Sequence, residues 1–137
     1  MAKQVSVLVG AGSIGQAIIR RVSSGKHVVL ADYSLENAER AAKTLENAGF
    51  ECSTIKCDLG SKEDILKLVE FATSKGEVTN VVNAAGVSPS QAPVAEILRV
   101  DLYGTSVLLE EFGKVIAEGG CTASYWYGDL QYLKATH

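Results

Sequence analysis

Residues 4–15 read QVSVLVGAGSIG, and the fold is decided by how this stretch divides. Gln4 to Val9 is a short, largely β-branched run that stops at Gly10, the composition of a buried strand. From Ser13 onward Ile14, Ala17, Ile18 and Val22 recur at helical spacing. Between them Gly10, Gly12 and Gly15 stand in G-x-G-x-x-G spacing. Alone that pattern is weak; between a strand and a helix it has a mechanism. Gly10 permits the tight turn, Gly12 removes a Cβ so that a pyrophosphate can approach the backbone, and Gly15 lets helix and strand pack closely. The unsatisfied N–H groups of the first helical turn, at Ser13 and Ile14, and the helix dipole then favour an anion.

Outward from this turn, strand and helix alternate. HVVLAD (27–32) is a second strand. Ser34 offers an N-cap, Ala38, Ala41, Ala42 and Leu45 form a helix face, and Gly49 sits where a terminating glycine belongs. ECSTIKCDL (51–59) is a more polar strand, as an edge strand would be. Ser61 and Asp64 approximate a capping box before Ile65, Leu68, Val69 and Ala72, and Gly76 ends that helix. VTNVVNAAG (78–86) is a fourth strand. A loop with Pro89 and Pro93 leads to a long helix, ended by the glycines at 119–120, whose apolar face carries Ile97, Leu98, Leu102, Thr105, Leu108, Leu109, Phe112 and Ile116. Units of this length imply parallel strands with right-handed crossovers. The expected fold is therefore α/β, a Rossmann-type doubly wound parallel sheet.

Asp32 ends the second strand, where an acidic residue meets the adenosine ribose in dinucleotide sites. A 2′-phosphate there would face like-charge repulsion. Ser13 and Tyr33 occupy the positions from which a basic side chain could receive it. The cofactor expected is NAD rather than NADP. S-adenosylmethionine methyltransferases also use a glycine-rich first turn and an acid after the second strand, but the Asn83-Ala84-Ala85-Gly86 ending of the fourth strand separates the two classes.

The GAGSIG turn, Asp32, Cys57-Asp58-Leu59, VVNAAG and ILRVDLYGT together resemble the short-chain dehydrogenase/reductase family over residues 3–120. The resemblance implies that Asp58 and Leu59 lie near the adenine, that Asn83, Ala84, Ala85 and Gly86 run beneath the inner ribose, and that Val100 walls the same pocket. It also implies hydride transfer between a nicotinamide and a small-molecule hydroxyl or carbonyl substrate, with the protein supplying orientation and a proton.

The sequence departs from the family where that proton should come from. The family uses Tyr-x-x-x-Lys, and no tyrosine of this chain has a lysine four positions on. Asp101 stands where the family has an asparagine; it accepts hydrogen bonds but cannot donate as an amide does. The last seventeen residues, CTASYWYGDLQYLKATH, hold the single Trp and three of the five Tyr. They lack the near-continuous apolar run of a central parallel strand. Residues 1–120 are thus expected to form the NAD-binding domain and 121–137 an atypical tail, with the sheet truncated after the fourth or fifth strand. That tail is either a divergent ending or the product of truncation or a frame change. No catalytic residue is assigned, and a non-catalytic NAD-binding or interaction module is the alternative function.

The bulk properties exclude several classes. A net charge of −3 offers no basic field for nucleic acid or an anionic membrane. No apolar run approaches the ~20 residues that span a bilayer. The N-terminus lacks the pattern of a signal peptide. Three cysteines without C-x-x-C spacing suggest neither a disulfide framework nor a metal site. A cytoplasmic location is expected, and so is a homo-oligomer: four good strands leave VTNVVNA as an apolar edge, or covered only by the ill-suited tail, which invites pairing with another chain, and the long helix has an apolar side that a complete domain would cover.

Overall fold

A computed structural model describes residues 3–85, 95 and 98–124. In chain order the elements are β1 (Gln4–Val9), α1 (Ser13–Val22), β2 (His27–Asp32), α2 (Leu35–Asn47), β3 (Glu51–Lys56), α3 (Lys62–Lys75) and β4 (Glu77–Asn83). A π-helical segment (Leu98–Gly104) runs into α4 (Thr105–Gly113), and β5 (Cys121–Ser124) closes the series. The sheet is parallel, in the order β3-β2-β1-β4-β5. Strand order reverses between β1 and β4, so a crevice opens beyond their carboxyl ends, the usual ligand position in such sheets.

Both faces of the central strands are covered, which is why β1 and β2 are dominated by apolar residues, with Ser6 the buried polar exception in β1. On one face Leu8, Val28, Leu30 and Val82 pack with Ile19 of α1 and Ala38, Ala41 and Leu45 of α2. On the other Val5, Val7, Val9, Val29 and Val81 pack with Ile65 and Leu68 of α3 and Leu108 and Phe112 of α4. Strand β3 is an outer strand and is only half-buried along its middle, as its polar composition predicts. Ser34 and Ser61 cap α2 and α3, accepting from the backbone N–H of Asn37 and Asp64 at 3.3 Å each.

The structure corrects the sequence reading in three places. In α1 the core face is Gly15 and Ile19, whereas Ile14 is 44% exposed and Val22 38%. Gly15 is what turns the helix: a Cβ there would meet Gly10 O at 2.7 Å and Leu8 Cδ1 at 2.8 Å. The residue four positions on must therefore face the sheet too. The long helix is not one α-helix. A π-helical turn precedes α4, and α4 stops at Gly113. Thr105, Leu108 and Phe112 are buried as expected, but Leu102 and Leu109 face outward. The wider turn brings residues five apart onto nearly one face, which breaks the 3.6-residue phase. Finally, Cys121–Ser124 continue the sheet, with Asn80, Val81, Val82 and Asn83 opposite them in register. Strand β5 is an outer strand of the described sheet, with Cys121 and Thr122 exposed, so it does not require a continuous apolar run. Residues 125–137, with the expected aromatic tail, lie outside the described residues.

Candidate functional site

The carboxyl ends of β1, β2, β3 and β4 converge on one cavity of about 690 Å³. Gly10 turns the chain out of β1 with φ +90°, a conformation that favours glycine. Its N–H donates to Ala31 O at 2.8 Å, and the Ala84 N–H donates to Val9 O at 2.7 Å. A Cβ on Gly10 would lie 2.7 Å from the carbonyl carbon of Ala84. Gly10 and Gly15 are thus demanded by the protein's own packing.

Gly12 is different. Its backbone (φ −80°, ψ −179°) suits any residue, and a Cβ there would meet no described atom within 4 Å. Gly12 lies on the cavity wall and precedes the first turn of α1. Neither strain nor packing accounts for this glycine. Ser13 and Ile14, at the start of α1, are exposed and do not line the cavity.

Asp32 reaches the same cavity with its carboxylate already oriented. Oδ2 accepts from the Ala11 N–H and Oδ1 from the Ser34 N–H, each at 2.9 Å. A carboxylate has about four acceptor positions, so capacity remains on both oxygens. Tyr33 lines the cavity beside it, 69% exposed, with Lys56 Nζ 5.7 Å from its ring centroid.

The third strand delivers Asp58 and Leu59 to the cavity wall. The backbone N–H of Asp58 donates to Asp64 Oδ2 at 2.9 Å, so the carboxylate that the sequence pattern assigns to a reciprocal cap instead anchors this loop. Ala84 and Ala85 form the opposite wall, with Val100 beside them. Asn83 is buried and turned away from the cavity, donating to Thr105 Oγ1 at 3.0 Å and accepting from the Ala85 N–H at 3.1 Å. Gly86 and the side chain of Asp101 lie outside the described residues.

Three lining residues escape a sequence reading. Asn37 faces the cavity from the first turn of α2. Cys57 lies at the end of the chain's run from β3, and burial, with Asp64 and Asp58 nearby, pushes its thiol up to about 12, so it offers no thiolate at neutral pH. Arg99 stands with its guanidinium 3.4 Å from both carboxylate oxygens of Asp58. As the one basic residue in ILRVDLYGT it was visible, but α-helical phase gave it no direction.

A model of the short chain dehydrogenase family matches residues 3–109. The chain belongs to that family. The short-chain dehydrogenase/reductase bsc3 of Alternaria brassicicola is 38% identical over 120 residues, covering 88% of this chain and 44% of that protein. Among solved structures, a short-chain dehydrogenase/reductase from Serratia marcescens superposes with a TM-score of 0.75 at 26% identity, over 89% of this chain and 54% of that one. A metagenomic short-chain oxidoreductase in complex with NADP superposes with a TM-score of 0.76 at 28% identity, over 88% of this chain and 61% of that one. The chain thus spans about half the length of these relatives. Short-chain dehydrogenases bind nicotinamide cofactors, and the open backbone at Gly12 beside the acceptor Asp32 fits the pyrophosphate and ribose of such a group.

Proposed function

We propose that this chain is an NAD(H)-binding unit of a short-chain dehydrogenase/reductase. Gly10, Gly12 and Gly15 shape the pyrophosphate turn, and the N–H groups at Ser13 and Ile14 face that anion. Asp32 receives the adenosine ribose with Tyr33 at its side. Asp58 and Leu59 flank the adenine, and Asn83, Ala84, Ala85 and Val100 form or support the wall beneath the inner ribose. The observation that carries the reading is the Asp32 carboxylate. Two backbone N–H groups fix it, it lies on the cavity, and it keeps unused acceptor capacity. It would accept from ribose hydroxyls and repel a 2′-phosphate. Arg40 lines a neighbouring recess but is engaged with Glu36 at 3.2 Å.

A bound nicotinamide supplies hydride chemistry toward a small-molecule hydroxyl or carbonyl group. The 137 residues contribute binding and orientation and contain no Tyr-x-x-x-Lys to move the proton. This chain alone is therefore proposed to bind NAD(H) without appreciable turnover, and to self-associate in the cytoplasm without nucleic acid or membrane. Among the described residues no helix is long and apolar enough to cross a membrane.

The test is a titration of NADH and NADPH against the chain and against Asp32→Ala. Each lost charge-assisted bond weakens binding roughly ten- to a hundredfold. NADH should bind the parent more tightly than NADPH, and Asp32→Ala should erase the preference. Equal NADH affinity in the two proteins overturns the assignment.

A further inference from the structure

We propose that Arg99 is the positioning residue of the adenine end of the cavity, holding Asp58 in the orientation that selects the base. The inference rests on the reading of the cavity as an NAD site and extends it to a residue outside the glycine-rich turn, Asp32 and the β4 wall.

Four observations converge on Arg99. Its Nη1 lies 3.4 Å from both Oδ1 and Oδ2 of Asp58, so it bridges the carboxylate rather than one oxygen. The separation exceeds that of a tight charge-assisted bond, about 2.7–2.9 Å. The Gly60 N–H, at 2.9 Å from Oδ1, takes one further position, and of about four acceptor positions roughly one is left for another donor. Second, the guanidinium fills the space a side chain at residue 60 would need: a Cβ on Gly60 would lie 3.0 Å from Arg99 Nε and collide with the head of the guanidinium. Gly60 has no positive φ, so no backbone strain calls for glycine there; what a side chain would meet is the flexible end of Arg99.

Third, the π-helical turn aims the residue. With residues five apart on nearly one face, Arg99 shares a face with Gly104, and Val100 with Thr105. Gly104 packs so closely on Leu59 that a Cβ would lie 2.9 Å from Leu59 Cγ, and Thr105 bonds Asn83. The contacts at 104 and 105 thus fix the rotation that presents 99 and 100 to the cavity. An uninterrupted α-helix would separate these pairs by more than a third of a turn. Fourth, Asp58, Leu59, Arg99 and Val100 line the cavity together.

The chemistry follows from the charges. Asp58 is acceptor-only when ionised and favours an amino group over a carbonyl on the base edge. Arg99 carries a permanent charge, and its Nη1 meets both oxygens from one nitrogen at the end of a side chain one bond longer than lysine's, so a lysine ammonium does not reach the same point. Arg99 therefore acts through Asp58, and its removal should relax base selection as well as weaken binding.

The experiment measures NADH and its deamino analogue, in which the 6-amino group of adenine is a carbonyl, binding to the 137-residue chain and to Arg99→Ala, Arg99→Lys and Asp58→Asn. Folding is checked by circular dichroism, and Arg99→Lys serves if Arg99→Ala does not fold. The parent should prefer NADH. Arg99→Ala should bind NADH roughly tenfold more weakly and lose most of the preference, and Arg99→Lys should restore neither fully. A folded Arg99→Ala with parental NADH affinity, an equal loss for both ligands, or full recovery in Arg99→Lys would overturn the inference while leaving the NAD reading intact. A parent that binds NADH but does not distinguish the two bases also overturns it. A parent that binds neither ligand overturns the NAD reading itself, and Arg99 with it.

Discussion

The side-chain nitrogen of Asn83 donates to the hydroxyl of Thr105 across 3.0 Å, with both residues almost wholly buried. The same carboxamide accepts from the Ala85 N–H. One side chain thus fastens the end of β4 to the first residue of α4 and fixes the backbone wall of the cavity. Asn83→Ala leaves the buried Thr105 hydroxyl without this partner, at a cost of about 1–3 kcal/mol, and also removes the acceptor of the half-buried Ala85 N–H. Thr105→Val removes one bond and nearly preserves volume. Urea unfolding should therefore rank parent above Thr105→Val above Asn83→Ala. An Asn83→Ala midpoint equal to the parent's would mean the bond contributes nothing.

Gly12 and Gly15 should separate binding from stability. Serine is a favoured N-cap and suits the backbone of Gly12, and its Cβ meets no described atom. Gly12→Ser should melt within a few degrees of the parent while NADH affinity falls at least tenfold. Gly15→Val should lower the melting temperature strongly, because its side chain would enter the Gly10 carbonyl and Leu8. The reverse pattern in calorimetry and binding would reverse the two roles.

The thiols should react in a fixed order. Cys121 is exposed, Cys52 is half-buried with its thiol pushed up to about 11 by burial and by Glu46 and Glu51, and Cys57 is buried and pushed up to about 12. At pH 8 an aromatic disulfide reagent should modify Cys121 first and Cys57 only on unfolding. A fast first phase that persists in Cys121→Ser would contradict this order.

Glu51 gives a pH test at the opposite end of the sheet. His27 Nδ1 lies 2.6 Å from its Oε1, and His27 Nε2 lies 2.8 Å from Ser53 Oγ. The hydrogen bond to His27, then the charges of Lys3 and His27, hold the exposed Glu51 carboxyl below its ordinary 4.5. A carboxyl whose value falls on folding contributes stability above its unfolded value and loses it as pH drops through the folded one. Parent and Glu51→Gln should therefore differ in denaturation midpoint above about pH 5 and converge in stronger acid, where both carry a neutral group. A difference that grows on acidification would reverse the sign.

Much of the site was legible because its residues sit at strand ends, where register is fixed. Gly10, Asp32, Asp58 and Ala84 each follow an apolar run whose length sets the exit point. The fourth-strand reading places Asn83 correctly, but its inward bond to Thr105 depends on an element 22 residues on. Arg99 was not legible, since a π-helical turn has no compositional signature and shifts the phase of every side chain before it. The same phase error hid the exposure of Leu102. Cys121–Ser124 carry no apolar run because β5 is an outer strand of the described sheet, whereas a central fifth strand calls for one.

That placement of β5 changes the argument for self-association. Strand β4 is paired on both sides, by β1 and β5, so its edge offers no site for a second chain. The helical surface still does. Leu102 and Tyr103 are 55% and 50% exposed, and Leu109 and Val115 are each 38% exposed. Four large apolar side chains within fourteen residues form a denser run than scattered surface hydrophobics. Full burial of one such side chain contributes about 1.5–3 kcal/mol, and these four have part of that still to gain. Two copies meeting along this surface would cover it, and none of the four side chains lines the cavity. Sedimentation over a hundredfold concentration range should show reversible association, weakened at least tenfold by Leu109→Glu, with NADH affinity unchanged in the variant. A parent that stays monomeric throughout, or a Leu109→Glu variant that associates as the parent does, would remove this surface as the contact.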